Sequence, residues 1–525
     1  MKKLIAVFAV TAISTAALAE APTPVVPVFE DYSHAAGVKT VFKGDYLYMV
    51  GGGVATFDCN ADGRPDLFAP GGEGYSELFV NMSKQGRKLH FQRVEDELAL
   101  DKVLGAYPLD IDADGNMDLV ILRQGENKVM RGLGDCKFEE ANKAWNFDGG
   151  DAWSTSFSAT FEKGAQWPTL AIGNYINPKE EISPWGSCTD NWLHRAEGKS
   201  FGKPIPLTPS YCALSMLFTD WNRSGEPSLR VSNDREYYEG GEEQMWKLSP
   251  GEPPKLYTAE EGWKRLRIWG MGIASADVNG DTYPDYFLTS MADQKLQFLG
   301  DPKTGKPDYK DLAFAKTVTL HRPTWGDDLK SSTGWHAQFE DANNDGLWDL
   351  FVAKGNVDKM PDFAAKDPNN LALGKADGTY VDVAKQAGMA STKTSRGGMM
   401  VDFDLDGKLD LVVVNRREPV QIWQNMSKNL GGWLQVQLQQ DGPNRNGIGA
   451  WIEVRVGDKI TRREITSGGG HASGHLGWWH FGLGAATGAD MRVLWPDGTQ
   501  GDWQPVSPNS FYVVKPGAVP VKWEP

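Results

Sequence analysis

Five stretches of this chain set oxygen-bearing side chains at the same four positions of a nine-residue frame. The first reads D-C-N-A-D-G-R-P-D, with Asp58, Asn60, Asp62 and Asp66 at positions 1, 3, 5 and 9. The second carries Asp110, Asp112, Asp114 and Asp118 there, and the third Asp277, Asn279, Asp281 and Asp285. The fourth carries Asp341, Asn343, Asp345 and Asp349, and the fifth Asp402, Asp404, Asp406 and Asp410. A hard cation such as Ca²⁺ takes six to eight oxygen ligands at short range. Alternate side chains of a tight loop can point inward together, a glycine at position 6 permits the sharp turn, and the carbonyl at position 7 can add an oxygen. Without an ion these carboxylates would repel one another. The plainer alternative is an Asp-Gly turn that holds no metal. The ligand count favours about five Ca²⁺ sites.

The EF-hand begins in the same way, but it needs Glu at position 12 and a helix on either side. Position 12 here is Ala69, Ile121, Leu288, Val352 and Val413. Each loop runs straight into a short apolar stretch such as DLFAP, DLVIL or DLVVV, which predicts a buried strand. The loops recur roughly every 50–60 residues, a spacing that marks a repeat architecture. The interval between Asp110 and Asp277 holds two further units. One has a weaker loop from Asp220 that ends in Ser228. The other is placed by W-P-T-L-A-I-G-N from Trp167, which matches E-P-S-L-R-V-S-N from Glu226. This last unit has Phe161, Lys163 and Ala165 at the ligand positions and cannot bind an ion. Seven units of strands predict an all-β fold, a seven-bladed β-propeller, since a closed ring removes exposed sheet edges.

The stretches GGGVATFDCNADGRPDLF, GMGIASADVNGDTYPDYF and SRGGMMVDFDLDGKLDLVVVN resemble the FG-GAP/VCBS-repeat propellers. The resemblance is to the bacterial relatives of cartilage acidic protein that end in an ASPIC/UnbV domain. GKADGTYVDVAKQAGM from Gly374 is similar to another recurring segment of that family, and FEDYSHAAG from Phe29 looks like an N-terminal copy of its end. The tail carries NRNGIGAWIEVRV, HFGLG and MRVLWPDG, which resemble the ASPIC/UnbV signature. Its alternation of apolar and polar residues predicts a small antiparallel β domain. The expected division is a propeller over 20–429 and the tail domain over 430–518. The family shows G-Y-x-S-Q where this chain has Gly470-His471-Ala472-Ser473-Gly474-His475, so a ligand function shared by that loop would be altered here.

The first 19 residues read as a signal peptide. Lys2 and Lys3 precede an apolar run from Leu4 to Leu18, and Ala17-Leu18-Ala19 has the form of a cleavage site. A short signal of this kind predicts a secreted bacterial protein, periplasmic or extracellular. No later run is long and apolar enough to span a membrane. The net charge is −15, which argues against a nucleic-acid partner. The four cysteines, Cys59, Cys136, Cys188 and Cys212, contain no C-x-x-C pair, so zinc-ribbon and thioredoxin readings fail. In an oxidising compartment they predict disulfides. Three pairings exist. The nearness of Cys188 to Cys212 favours that pair, with Cys59–Cys136 following.

Other signals are weaker. His471, His475 and His480 are spaced H-x3-H-x4-H, which suggests a transition-metal site or merely a polar β loop. Trp478-Trp479 reads either as a sugar-stacking platform or as one core and one surface residue. The tryptophans from Trp153 to Trp335, Trp185 and Trp192 among them, read mostly as packing between blades, with a minority at the ring's mouth. The acidic stretch Tyr237–Glu243 reads as solvated. No G-x-S-x-G, H-E-x-x-H or P-loop is present. The expected role is recognition of an envelope or extracellular protein or glycan through a propeller face, with Ca²⁺ structural. The alternatives are a metal-assisted carbohydrate lyase or dehydratase, and an assembly factor for a periplasmic redox system.

Overall fold

The computed structural model describes residues 24–95, 97–180, 186–234, 241–326 and 328–525. The signal segment, Trp185 and residues 237–240 lie outside them. Strands make up the regular structure. Among the described residues the only other elements are two short 3-10 turns, Tyr46–Tyr48 and Pro302–Thr304.

The chain folds as a series of four-stranded antiparallel meanders. The first comprises Ala55–Phe57, Asp66–Ala69, Glu77–Asn81 and Phe91–Val94 in spatial order. Five more follow over 103–140, 152–207, 213–256, 270–311 and 334–382. The second and third share a ladder where Ala152 and Trp153 face Gly125 and Gln124. The seventh has three strands of its own, Ser395–Val401, Asp410–Asn415 and Gln421–Asn425. Its fourth comes from the other end of the chain, for Phe29–Asp31 pairs antiparallel with Gln421–Asn425. That is the segment whose sequence copies the end of a repeat.

The apolar runs after the loops are continuous because each second strand is buried on both faces. In Asp349–Lys354, Leu350 and Val352 pack with Phe287 and Leu296 of the preceding meander. Phe351 and Ala353 pack with Leu411, Val413 and Trp423 of the following one. The same sandwiching recurs between every successive pair. The last core joins the seventh meander to the first, through Val401, Val412 and Ile422 against Leu67, Ala69 and Phe79.

Polarity follows from connectivity. Every Asp loop joins the end of a first strand to the start of a second, so the loops all lie at one end of the meanders. The turns between second and third strands, such as Gly125–Lys128, lie at the other end.

The tail forms two four-stranded sheets around a shared core of Leu434, Val436, Ile452, Val454, Phe481 and Val493. It departs from the expected antiparallel domain at one pair. Gly432–Leu438 runs parallel to Ser510–Val514. A parallel pair needs a long crossover, and the chain between these two strands builds the whole second sheet before returning. No helix of the described residues is long and apolar enough to cross a membrane. Both disulfides have the expected pairing, Cys59–Cys136 and Cys188–Cys212.

Candidate metal centres and the module that covers them

The loops share one hydrogen-bonding scheme. The position 1 carboxylate accepts the position 6 backbone N–H: Gly63 to Asp58 (2.7 Å), Gly115 to Asp110 (3.1 Å), Gly346 to Asp341 (2.6 Å) and Gly407 to Asp402 (2.8 Å). In the third loop Thr282 does this at 3.1 Å, with a φ of 87° that a side chain rarely adopts. Position 9 has a second task beside that of ligand. In four of the five loops one of its oxygens accepts the position 2 N–H, and the other accepts an N–H from the third strand; Asp285 makes only the first of these. Asp349 takes Ala342 (2.9 Å) and Gly374 (2.8 Å), and Asp410 takes Phe403 (3.1 Å) and Asn425 (2.8 Å). Asp66 and Asp118 do the same. The position 9 carboxylates are therefore buried clamps that fix where each second strand begins.

In the second and fifth loops positions 1, 3 and 9 converge. Carboxylate oxygens of Asp110, Asp112 and Asp118 lie within 4.8 Å of one another, as do those of Asp402, Asp404 and Asp410. Position 5 is held by a basic neighbour or by position 3: Asp114 pairs with Arg131 (3.0 Å), which also holds Asp112 (2.8 Å), Asp406 pairs with Lys408, and Asp345 accepts from Asn343 (3.0 Å). In the third loop Asn279 likewise donates to Asp281 (2.9 Å), and in the first Asn60 is 3.3 Å from Asp62.

The electrostatics fit a cation. Burial pushes Asp66, Asp285 and Asp341 up to about 8, and neighbouring loop carboxylates add to the rise. Burial likewise takes Asp110 and Asp277 up to about 6 and Asp404 to about 7. One oxygen each of Asp110, Asp277 and Asp285 is buried with no hydrogen-bond partner among the described residues. Buried, mutually repelling carboxylates with spare lone pairs are what an oxygen-seeking cation satisfies. At the Asp220 loop, Ser228 replaces the position 9 carboxylate. There Glu464 from the tail accepts from the Asp220 N–H (2.6 Å) and the Thr219 hydroxyl (2.7 Å).

Glu464 is one of many tail residues that reach these loops. Arg445 lies 3.4 Å from Asp110, Arg462 lies 3.2 Å from Asp277, and Gln435 donates to Asp402 (2.5 Å). Trp478 Nε1 donates to the Gly63 carbonyl (2.9 Å), and Lys459 to that of Gly346. The Trp433 ring occupies the space where a side chain on Gly407 would stand. The tail module thus lies across the loop-bearing end of the meanders. Sequence reasoning gives none of these residues a role against the loops, although Trp433 and Gln435 stand in WLQVQLQ, Arg445 stands in NRNGIGA and Trp478 is singled out for stacking.

Arg463 makes a buried two-pronged contact with the meander strands. Its guanidinium grips both Glu340 oxygens, at 2.8 and 2.6 Å, and lies over the Trp348 ring at 4.7 Å. Burial raises the Glu340 pKa and Arg463 opposes it. Replacing Arg463 by Met strands a buried carboxylate and should cost about 3–5 kcal/mol in denaturant unfolding. Adding Glu340→Gln should recover most of that loss. If the single variant costs less than about 1 kcal/mol, the pair does not hold the module down.

The stretch Ser467–His475 enters the midst of the first strands. Gly468 pairs with Ser158, the Gly469 N–H donates to Met216 O (2.7 Å), and that of Gly470 to Ile273 O (2.6 Å). The His471 N–H donates to His336 Nδ1 (3.1 Å), and its own Nε2 accepts the Gly51 N–H (3.1 Å). Ser473 bridges to Ala106, and Gly474-His475 runs parallel to Ala55-Thr56. The Ser473 hydroxyl also abuts Gly397 of the seventh meander. This one stretch, turned at Gly468, Gly469, Gly470 and Ala472 by left-handed φ values, therefore touches a first strand of each meander. It also explains a glycine of the G-G-G run, since a Cβ on Gly53 would stand 1.9 Å from the Ala472 carbonyl.

The three tail histidines do not converge. His471 is engaged as above, His475 Nδ1 meets the Thr56 hydroxyl (2.9 Å), and His480 Nε2 meets Asn344 (2.8 Å). Of the readings of Trp478-Trp479, one ring in the core holds and the stacking platform does not. Both rings are buried, Trp479 in the module core and Trp478 against Phe511 and Trp523, so neither offers an open stacking face. Glu243, expected in solvent, is fully buried and accepts from the Asn233 N–H (2.8 Å).

Residues 341–413 match the family model FG-GAP-like repeat, and residues 440–521 match ASPIC and UnbV. A 63-residue stretch, 12% of the chain, is 38% identical to cartilage acidic protein 1 of Xenopus tropicalis and spans 10% of that protein's length. Among solved structures, BBS1N in complex with ARL6DN is similar at 10% identity, with 77% of this chain and 99% of that chain covered and a TM-score of 0.45. A second is an Agrocybe aegerita protein described as recognising non-reducing terminal N-acetylglucosamine. It shows 14% identity, 70% and 93% coverage and a TM-score of 0.37.

Proposed function

We propose that this chain, which carries an FG-GAP-like repeat and an ASPIC/UnbV module, is a secreted calcium-binding β-propeller of seven blades. Its function would be to recognise an envelope or extracellular protein or glycan through the face its own module leaves open. The observation that carries the reading is the reach of Ser467–His475. A single nine-residue stretch that touches a first strand of every meander is what strands arranged around it would give. Packing of the seventh meander on the first supports the same closure. Ca²⁺ in the five loops would be structural, since the loops lie beneath the module and bind the strands that build the ring. Calcium held only by the folded state stabilises it by mass action.

The lyase or dehydratase alternative would place chemistry in the central channel. Gly469, Gly470 and His471 enter that space, with polar groups engaged by the chain itself, and the cavity left beside them is about 90 Å³, below the size of an ordinary ligand pocket. The redox assembly factor is favoured by no particular contact.

The test is metal analysis of the mature protein, followed by binding and turnover assays on purified envelope polysaccharides and proteins. The expected result is about five Ca²⁺ per chain and saturable binding without product release. Release of cleaved or dehydrated sugar would overturn the binding reading in favour of the enzyme. Absence of calcium would overturn the role given to the loops.

A further inference from the structure

On the end of the meanders opposite the module, a cleft of about 350 Å³ opens between the second and third. It is lined where strand ends meet: Asp118–Gly125 and Thr169–Asn174 finish there, and Ala152–Thr160 and Asn191–His194 begin. A volume of this size holds a small ligand.

The wall is built for hydroxyl groups. His194 is 2% exposed, and its Nδ1 is buried with no hydrogen-bond partner among the described residues. Its ring leans on Phe147, with centroids 4.8 Å apart, which fixes its direction. Burial lowers its pKa to about 4, so the imidazole is neutral and offers one donor and one acceptor. Thr189 also lines the cleft, and its hydroxyl is buried and unpartnered too. Buried polar groups left unpaired cost free energy, and a ligand hydroxyl removes that cost. Beside them stands Trp192, half-buried, which offers an apolar face.

The floor is already satisfied and rigid. Asn127 donates to the Ser154 hydroxyl (2.8 Å), which donates to Asn174 Oδ1 (2.7 Å). The Cys188–Cys212 disulfide anchors the strand approach next to Thr189. The rim carries opposite charges in balance. Asp148 and Asp151 are countered by Lys203, and by Lys179, which lies 2.5 Å from Asp151. A balanced rim gives no net attraction to an anion or an amine. The chemistry that fits is a neutral, polyhydroxylated ring with an apolar face.

We propose that this cleft is a saccharide subsite, in which one neutral sugar residue stacks on Trp192 and offers hydroxyls to His194 and Thr189. The assignment rests on the recognition reading above and places it in one pocket of the open face.

The test titrates a panel of neutral methyl glycosides into the calcium-loaded full chain, read by calorimetry and tryptophan fluorescence. At least one glycoside should bind saturably. Trp192→Ala should weaken it by about tenfold or more, as loss of a buried stacking contact does. His194→Gln should weaken it as well. Trp503→Ala should leave it unchanged, because that ring lies on the module under Arg455 and Arg492. Each variant is checked for an unaltered melting temperature and calcium content, so that misfolding is not read as lost binding. No glycoside binding by a calcium-replete, folded chain overturns the subsite while leaving the propeller reading standing. Binding of methylamine or acetate in place of sugars, sensitive to Trp192→Ala, overturns it too. A chain without calcium or a cooperative melt means that the broader reading has failed first.

Discussion

Chelating the mature protein should lower its melting temperature by on the order of 10 °C or more. Five sites that bind only the folded state, each at ~100 times its dissociation constant, would together supply about 13 kcal/mol. Even for a large chain, where each kcal/mol moves the midpoint by only a degree or two, the shift is large. The pH dependence has a definite sign. In the ion-free fold, burial holds Asp66, Asp285 and Asp341 up at about 8, above the ordinary carboxylate value of ~4 in an unfolded chain. Protonation therefore favours the fold. In chelator the melting temperature should be highest near pH 5 and fall as pH rises through 8. With calcium in excess the decline should vanish, because the ion needs those carboxylates ionised. Scanning calorimetry at three pH values, with and without calcium, checks both statements. Equal melting curves in calcium and chelator would show that the loops are bare turns.

Asp349→Ala should be the most damaging single loop substitution, and it should do harm with or without calcium. The residue is 1% exposed, and both its oxygens hold backbone N–H groups, of Ala342 and Gly374. Truncation leaves two buried donors unpaired, at about 1–3 kcal/mol each, and removes a ligand as well. Asp345→Ala at position 5 removes only a half-exposed ligand. It should lower the calcium content by one ion and leave stability in chelator within ~1 kcal/mol of the parent. Denaturant unfolding of both variants in both conditions decides the matter. If Asp349→Ala is harmful only when calcium is present, position 9 is a ligand and not a clamp.

What was readable in the sequence was local and repeated. The loop frame, the strand that begins at position 9, and the kinship of FEDYSHAAG with the end of a repeat each depend on residues adjacent in the chain. The run Leu350-Phe351-Val352-Ala353 announced a strand buried on both faces without naming its neighbours. What could not be read depends on contacts between distant residues. Gly468-Gly469-Gly470 has the composition of a flexible loop, yet its backbone is held by Ser158, Met216 and Ile273. The three histidines looked like a ligand set because they are close in sequence, but strands carry His475 and His480 to Thr56 and Asn344. Trp478 and Trp479 looked like a platform because two cores, not one, meet at that strand. Trp192 resembled every other tryptophan near a strand start, and only the cleft sets it apart.

The pairing of Phe29–Asp31 with Gln421–Asn425 has a consequence for how the chain reaches its fold. Val28 N–H donates to the Ser427 hydroxyl across 399 positions, so the mean separation of native contacts is high and folding is correspondingly slow. In the proposed ring, the seventh unit cannot be completed until residue 427 is available, whatever the earlier units have already done. The peptide that fills the centre comes later still. A chain emerging N-terminus first would therefore spend its synthesis as an open array with two unpaired borders, the hazard that unpaired strands present. Closure and central filling would come as one late event. The insertion of Ser467–His475 among the first strands would then be the bolt shot after the door has shut.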